Sequence, residues 1–282
     1  MFHNIALVCS TEDHAGMNIK DSFLETAEFM KCGVFDSYPV FERTFHAGSN
    51  EVKARIYTTD SELVHYENLD RLISADFFIF MSKHRSESGI PSLSVHSPGN
   101  WGSAGLGGRD RELCVCPASF LKRAMQILEI RGNGSGYDVV QECTHHGPFL
   151  EKPCMFIEIG SELERWKDRK AGKIIGEALF ELLSNEVPEC PSAVGIGGLH
   201  TLSNFKKIII ESGIAVGHVC PKYMLDNIDE EIVLQAIERT VPKPESIILD
   251  WKGMGQYKEK VDAIAEGISK ARGIKVMRTK DF

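Results

Sequence analysis

Short apolar runs alternate along this chain with longer segments whose apolar residues recur at helical spacing. Ile5-Ala6-Leu7-Val8-Cys9 has the continuous hydrophobicity of a buried strand. The segment after it carries Ile19, Phe23, Ala27 and Met30 at near-helical intervals and reaches Gly33, which predicts a helix closed by that glycine. Phe77–Met81 predicts a second buried strand, and Leu93-Ser94-Val95-His96 alternates like a half-buried one. Ser119 predicts the cap of a helix carrying Phe120, Ala124, Ile127 and Leu128, which Gly132 ends. A strand over Met155–Ile159 precedes a long amphipathic helix over 165–184. Strands at Ala193–Ile196, Ala215–Val219 and Ser246–Asp250 then alternate with helices near 203–212 and about 229–240. A last helix leads to Ile274-Lys275-Val276-Met277. Such alternation predicts an α/β fold with a mixed, largely parallel sheet and helices on both faces. Residues 36–70 are polar and uneven, and residues 97–118 are rich in Gly and Ser. Both read as loop-rich insertions within one domain spanning 1–282.

Composition narrows the class without naming an activity. Of 282 residues, 43% are hydrophobic and 26% are charged, as in ordinary soluble globular proteins. The net charge of -8 argues against a protein that coats DNA, while leaving room for a local basic patch. No apolar run reaches membrane-spanning length, and Met1-Phe2-His3-Asn4-Ile5 lacks the basic start and apolar core of a secretory leader. Eight cysteines without a Cys-x-x-Cys pair suit free thiols in a reducing cytoplasm. The expectation is a cytoplasmic monomer with neither membrane nor DNA as a partner.

The most informative stretch is Glu142-Cys143-Thr144-His145-His146-Gly147-Pro148. Adjacent histidines beside a carboxylate are poor packing residues and good groups for holding a metal ion or moving a proton. Successive strand side chains alternate, so both histidines reach one site only if the Gly147-Pro148 turn twists the backbone. Polar residues also collect after other predicted strands. They are Ser10-Thr11-Glu12-Asp13, Ser82-Lys83-His84-Arg85-Ser86, Gly160-Ser161 and Gly197-Gly198-Leu199-His200-Thr201. Ligands of open α/β sheets bind beyond the carboxyl ends of strands, so these clusters predict one crevice. His84 and His96 bracket a predicted hairpin that turns at Gly89 and Pro91. The glycine-rich loop after His96 lets backbone amides near Gly99–Gly102 approach a ligand, yet it matches neither a P-loop nor a dinucleotide fingerprint.

The candidate metal ligands are therefore His84, His96, His145, His146 and His200, with Zn2+ as the ion. Glu142, His145, His146 and Glu158 are the catalytic candidates. Arg85, Ser86, Asn100, Trp101 and Ser161 are the candidates for binding substrate. His218 lies at a predicted strand end and joins the list of functional histidines, whereas His3, His14, His46 and His65 read as ordinary structural ones. Arg165, Arg169 and Lys173 recur every four residues and predict a basic helical face, with Trp166 beside it as a stacking surface. In so acidic a chain that face suits an RNA backbone, and it equally suits a solvated exterior.

Several of these residues together resemble a known family. They are His84-Arg85-Ser86-x-Ser88-Gly89, Val95-His96-x-x-Gly99-Asn100-Trp101-Gly102, Thr144-His145-His146-Gly147-Pro148 and Glu158-Ile159-Gly160-Ser161, with Asp13, Asn18-Ile19 and Asp250-Trp251-Lys252-Gly253 nearer the ends. The pattern resembles the archaeal and plant type of D-aminoacyl-tRNA deacylase. The resemblance implies a three-layer α/β/α sandwich of the phosphorylase/peptidyl-tRNA-hydrolase kind. It implies zinc-dependent hydrolysis of the ester joining a D-amino acid to tRNA in the cytoplasm. One departure stands out: the family usually has Gly-Gly-Gly-His-Tyr where this chain has Gly197-Gly198-Leu199-His200-Thr201. The residues alone leave other readings open: a zinc peptidase or amidase acting on small substrates, a metal-free esterase like peptidyl-tRNA hydrolase, and an RNA-binding module without turnover.

Overall fold

The structure is a computed structural model that describes residues 2–282. In chain order its strands are β1 (Asn4–Ser10), β2 (Met30–Phe35), β3 (Tyr38–Ala47), β4 (Asn50–Thr59), β5 (Phe77–Arg85), β6 (Ser92–His96) and β7 (Cys116–Pro117). They continue as β8 (Asp138–Gln141), β9 (Cys154–Ser161), β10 (Ser192–Ile196), β11 (Ala215–Cys220), β12 (Thr240–Val241), β13 (Ser246–Leu249) and β14 (Lys275–Arg278). The helices are α1 (His14–Leu24), α2 (Leu69–Leu72), α3 (Ala118–Arg131), α4 (Leu163–Trp166), α5 (Arg169–Ser184), α6 (Ser203–Glu211), α7 (Glu230–Glu238) and α8 (Lys258–Arg272).

The predicted α/β layering holds, but the strands divide between two principal sheets. The larger has eight strands in the order β2-β3-β4-β1-β5-β9-β6-β8. Its centre is parallel through β4, β1, β5 and β9, and β6 runs antiparallel to β9. The smaller sheet, β11-β10-β13-β14, is parallel throughout. Helices α1, α3 and α5 bury Ile19, Phe23, Leu128 and Ile175 against one face of the larger sheet. Its other face carries Val8, Phe78, Phe80 and Phe156, which α2 and irregular segments cover through Leu69, Phe149 and Leu150. Helices α7 and α8 close one face of the smaller sheet with Ile232, Val261 and Ile268.

Three expectations need correction. Residues 38–59 are the antiparallel pair β3–β4, so the supposed insertion over 36–70 is largely sheet; strands that keep polar residues on one face look irregular in sequence. The first helix stops at Leu24, and Met30 and Gly33 belong to β2, an exposed edge strand. His84 and His96 do not end a hairpin, because β9 inserts between β5 and β6 and pairs with both.

That insertion positions the site. Ser82 pairs with Glu158, and His96 pairs with Phe156. Side chains two residues apart share a face. His84, Glu158 and His96 therefore point from one side of the larger sheet, the side covered by irregular segments. Asp13 ties the neighbouring loop down. It caps α1 by accepting from the Ala15 and Gly16 amides at 2.9 Å, and it accepts from Ser82 Oγ at 3.0 Å and the Lys83 amide at 2.9 Å.

Helix α1 approaches β5 so closely that a Cβ on Gly16 would collide with the Met81 carbonyl oxygen. Gly16→Ala is expected to destabilise the protein by about 1–3 kcal/mol in urea unfolding. Gly267 in α8 has open space around it, and Gly267→Ala is expected to be neutral or to stabilise by up to about 1 kcal/mol. Equal unfolding midpoints for the two variants would contradict this packing.

Candidate functional site

Segment 141–146, just beyond β8, is sewn to the smaller sheet. The Cys143 amide donates to the His200 carbonyl at 2.9 Å, the Leu202 amide to Gln141 at 2.9 Å and the Thr144 amide to Val219 at 3.1 Å. The Thr144 hydroxyl accepts from the Val219 amide at 3.2 Å and meets His218 Nδ1 at 2.9 Å. His218 Nε2 lies 2.8 Å from the Cys114 carbonyl. Since a carbonyl only accepts, His218 carries its proton on Nε2 and accepts a hydrogen bond from the Thr144 hydroxyl on Nδ1. These bonds carry Glu142 and the two adjacent histidines over the face that holds His84, His96 and Glu158.

His146 has a left-handed backbone, φ 44°, uncommon for any residue but glycine. That twist answers the problem of adjacent histidines: both rings reach the cluster. The His145 ring lies 4.3 Å from His146, 4.3 Å from His96 and 4.4 Å from His200, centroid to centroid. His96 stacks on Phe156 at 5.0 Å with the ring planes 3° apart.

Glu142 is the hub. Its Oε2 lies 2.9 Å from His200 Nε2, 3.1 Å from His84 Nδ1 and 3.6 Å from His145 Nε2, and its side chain has no exposure. Burial opposes its ionisation, but hydrogen bonds from His200 and His84 hold its carboxyl well below the usual range. Glu158 moves the other way: burial, and then the charge of Glu142, push it well above. Burial lowers His96 to about 4 and, with His96 beside it, His146 to about 3. Burial and its histidine neighbours also lower His145 well below neutrality. Burial would lower His200 and His84 as well. Cys143 and Glu142 instead raise His200 to about 10, and Glu142 raises His84.

The donors fit a transition-metal ion. His145 Nδ1 donates to the Cys143 carbonyl at 2.8 Å and His146 Nδ1 to the Gly147 carbonyl at 2.6 Å, leaving each Nε2 with a free lone pair. Glu142 Oε1 and both ring nitrogens of His96 are buried without a hydrogen-bond partner. Three such groups in one place are costly unless something outside the chain satisfies them. Donor atoms of His96, His145 and His146 lie within 4.8 Å of one another, as do those of His84, Glu142 and His200. Nitrogen with a few carboxylate oxygens suits zinc or its neighbours better than magnesium or calcium.

A cleft of about 520 Å³ opens over the cluster, lined by His84, His145, His146, Glu158 and His200, with Arg85 and Lys83 on its wall. All five proposed ligands and all the catalytic candidates therefore converge, and Arg85 joins them. The remaining substrate-binding candidates do not line this cleft. Trp101 is 1% exposed in the core beneath the smaller sheet, and Ser161 is 1% exposed within β9. Asn100 spends its amide group on the Gly107 and Arg109 carbonyls, and Ser86 bonds to Ser88 on a turn. The Gly99 and Asn100 amides donate to His146 and Glu112 carbonyls, which removes them as oxyanion donors.

The basic stripe also fails as a single face. The chain breaks at Asp168, the cap of α5, so Arg165 belongs to the short helix α4 and not to α5. Arg169 is paired with Glu25 at 2.6 Å, and Lys173 lies 3.9 Å from Glu177. Trp166 clamps β5 by donating to the His84 carbonyl at 3.1 Å. Sequence reasoning missed Cys143, whose Sγ lies 3.7 Å from His200 Nδ1, and Tyr223, whose hydroxyl is 3.3 Å from both. It also missed Glu62, Val64 and Leu106 on the cleft wall. No local spacing pattern marks them.

The fold and cluster define an α/β protein with a histidine–carboxylate centre of the kind that activates water. A family model described as D-aminoacyl-tRNA deacylase matches residues 72–277. A D-aminoacyl-tRNA deacylase of Thermococcus kodakarensis is 36% identical over 265 residues, covering 90% of this chain and 93% of its own. One from Methanosarcina barkeri is 33% identical over 288 residues, 99% of this chain and 90% of its own. A solved structure titled a conserved protein of unknown function superposes with a TM-score of 0.88 at 29% identity, covering 99% of this chain and 96% of its own. The chain belongs to the D-aminoacyl-tRNA deacylase family.

His218 gives a pH test of the seam. Burial lowers it to about 4, whereas an unfolded histidine titrates near 6.5, so the unfolded chain binds the extra proton more readily. Stability present above pH ~6.5 is therefore lost as the pH falls toward ~4. Between about pH 7.5 and about pH 5 the wild type is expected to lose about 2 kcal/mol more than His218→Gln, measured by chemical denaturation at both pH values. Parallel losses in the two proteins would rule out a neutral, buried His218 as their source.

Proposed function

We propose that this enzyme hydrolyses the ester bond of D-aminoacyl-tRNA, releasing a free D-amino acid and tRNA, with a zinc ion held by its histidine cluster. The observation that carries the metal reading is the pair His145 and His146. Each fixes its Nδ1 on a carbonyl and turns Nε2 toward His96 and Glu142. His96, His145 and His146 form one ligand set, and His84, Glu142 and His200 a second beside it, joined where Glu142 Oε2 lies 3.6 Å from His145 Nε2. When bound, zinc would polarise the ester carbonyl and make an attacking water more acidic near neutral pH.

The chain's own residues do the rest. Glu142, held ionised, orients His84 and His200. Glu158, held neutral by burial and by Glu142, keeps a proton at the cleft wall. As water adds to the carbonyl and the ester C–O bond breaks, Glu158 passes that proton to the departing ribose oxygen and then takes up the proton released by the attacking water, which restores its neutral form. Arg85 and Lys83 on the cleft wall bind the phosphate nearest the ester, and Glu12 faces the ammonium group of the amino acid. The wall formed by Leu63, Val64 and Leu106 sorts the amino acid's hand by steric exclusion. We place this chemistry in a cytoplasmic monomer. Eight free cysteines suit a reducing compartment, and no helix among the described residues is long and apolar enough to cross a membrane.

Two measurements test this reading. Incubation with tRNA charged with D- or L-tyrosine, with chelator and after zinc is restored, is expected to give zinc-dependent release of the D-amino acid only. Full activity after exhaustive chelation would end the metal reading, and equal rates for both enantiomers would end chiral selection. Cleavage of small esters or peptides with tRNA ignored would favour the peptidase alternative. Separately, Glu158→Gln is expected to lower kcat by about 10²–10⁴-fold with zinc content unchanged, whereas His146→Ala loses zinc by elemental analysis. An unchanged kcat in Glu158→Gln would remove its role as proton donor.

A further inference from the structure

We infer that the unpaired 3′ end of the tRNA lies along the carboxyl edge of the smaller sheet and reaches the cleft over His200; this rests on the deacylase reading. Strands β11, β10, β13 and β14 are parallel, so their carboxyl ends share one edge. Along it stand Lys222 and Tyr223 after β11, Leu199 and His200 after β10, Trp251 and Lys252 after β13, and Arg278 at the end of β14. Strands spaced about 4.8 Å apart make that edge roughly 14 Å long, room for about four stacked nucleotides at about 3.4 Å each.

The chemistry of the edge suits a single-stranded polyanion. Lys222, Lys252, Lys258 and Arg278 form no ion pair among the described residues, unlike Arg169 and Lys173 of the basic stripe. Lys258 joins the edge with its Nζ 5.7 Å from the centre of the Trp251 ring. In a chain of net charge -8, four cations without an ion pair thus gather at one edge, where Asp281 accepts from the Arg278 amide at 2.7 Å. The one carboxylate at the centre of the edge, Asp250, is 2% exposed and accepts from Asn204 Nδ2 at 2.8 Å. Flat stacking surfaces alternate with the cations. Tyr223 is 58% exposed, and the Arg278 guanidinium lies 4.0 Å from the centre of the Trp251 ring. Bases stack on tyrosine rings and on arginine planes without regard to sequence.

The edge is continuous with the chemistry. Tyr223 touches His200 Nδ1 at 3.3 Å, and His200 Nε2 touches Glu142 at 2.9 Å. A strand stacked on this edge places its terminal ribose above His200, at the mouth of the cleft that His200 lines. Exposed Leu199 sits at that threshold as an apolar step under the last base.

The test is direct binding of uncharged tRNA, which needs no turnover. Lys222→Ala/Lys252→Ala is expected to raise Kd about tenfold at moderate salt and to make the log Kd against log salt slope shallower by about 1.4, two phosphate contacts at about 0.7 each. Removing the last four nucleotides from the tRNA is expected to raise the wild-type Kd by a similar factor and to change the double variant's Kd little, because both deletions remove the same contacts. Lys270→Ala, near the far end of α8, is the control, with Kd and slope as in the wild type. A double variant that binds full-length tRNA with the wild-type Kd and slope overturns the inference. So does additive loss from the variant and the shortened tRNA. The deacylase reading is judged separately, by whether the wild type cleaves D-tyrosyl-tRNA.

Discussion

A carboxylate removed from water must be paired or must take up a proton, and Glu142 is the group for which that demand is met by ionic pairing. His84 comes to it from the end of β5 and His200 from the loop after β10. Breaking a buried ionic contact by removing one partner typically costs about 3–5 kcal/mol, so these segments and the loop of Glu142 are held to one arrangement. Glu158 follows from the same constraint. Two buried acids facing one cluster cannot both ionise without cost, and the one with closer imidazole partners takes the charge. Environment thereby divides two chemically equal side chains into an anion and a neutral acid.

The pairing requires the two sheets to meet. Residues 141–144 leave the larger sheet and bond to backbone at 200–202 and 219 of the smaller one. The chain from the Val219 amide through the Thr144 hydroxyl and His218 to the Cys114 carbonyl satisfies every polar group along it, although His218 is wholly buried. Satisfied networks in a low-dielectric interior are rigid, and this one lies two residues from Glu142. The strained His146 backbone persists for a related reason. The ring contacts on one side and the Gly99 amide bonded to its carbonyl on the other over-determine its position.

Much of this arrangement was legible in the sequence, and the limits are physical. Buried strands such as Phe77–Met81 and Met155–Ile159 announce themselves because both faces are covered and the apolar run is unbroken. The chemistry was legible for the same reason. Most histidines and acids at these strand ends serve no packing, and His84, His96, His145, His146, Glu142, Glu158 and His200 do converge, whereas His218 is bonded into the seam between the sheets instead. Strand order was not legible, because β9 inserts between β5 and β6 through long-range pairing that leaves no local mark. The β3–β4 hairpin was hidden by its half-polar faces. Trp101 and Ser161 misled because a motif says which residues recur together, not which of them face solvent. The Arg165–Lys173 stripe failed at one residue: Asp168 caps a new helix, and four-residue spacing carries no meaning across a break.

The departure at Leu199 and Thr201 is informative in this light. His200 is placed by backbone: its carbonyl accepts from the Cys143 amide, and Leu202 bonds back to Gln141. Neither bond depends on the side chain at 199 or 201. Glycine is needed at 197 and 198, where φ is positive, and both are kept. The chain can therefore exchange the residues flanking His200 without moving its imidazole from Glu142. The difference falls on the exposed rim instead, where Leu199 is 62% exposed. A site whose reactive groups hang on inter-sheet backbone bonds tolerates change at its rim.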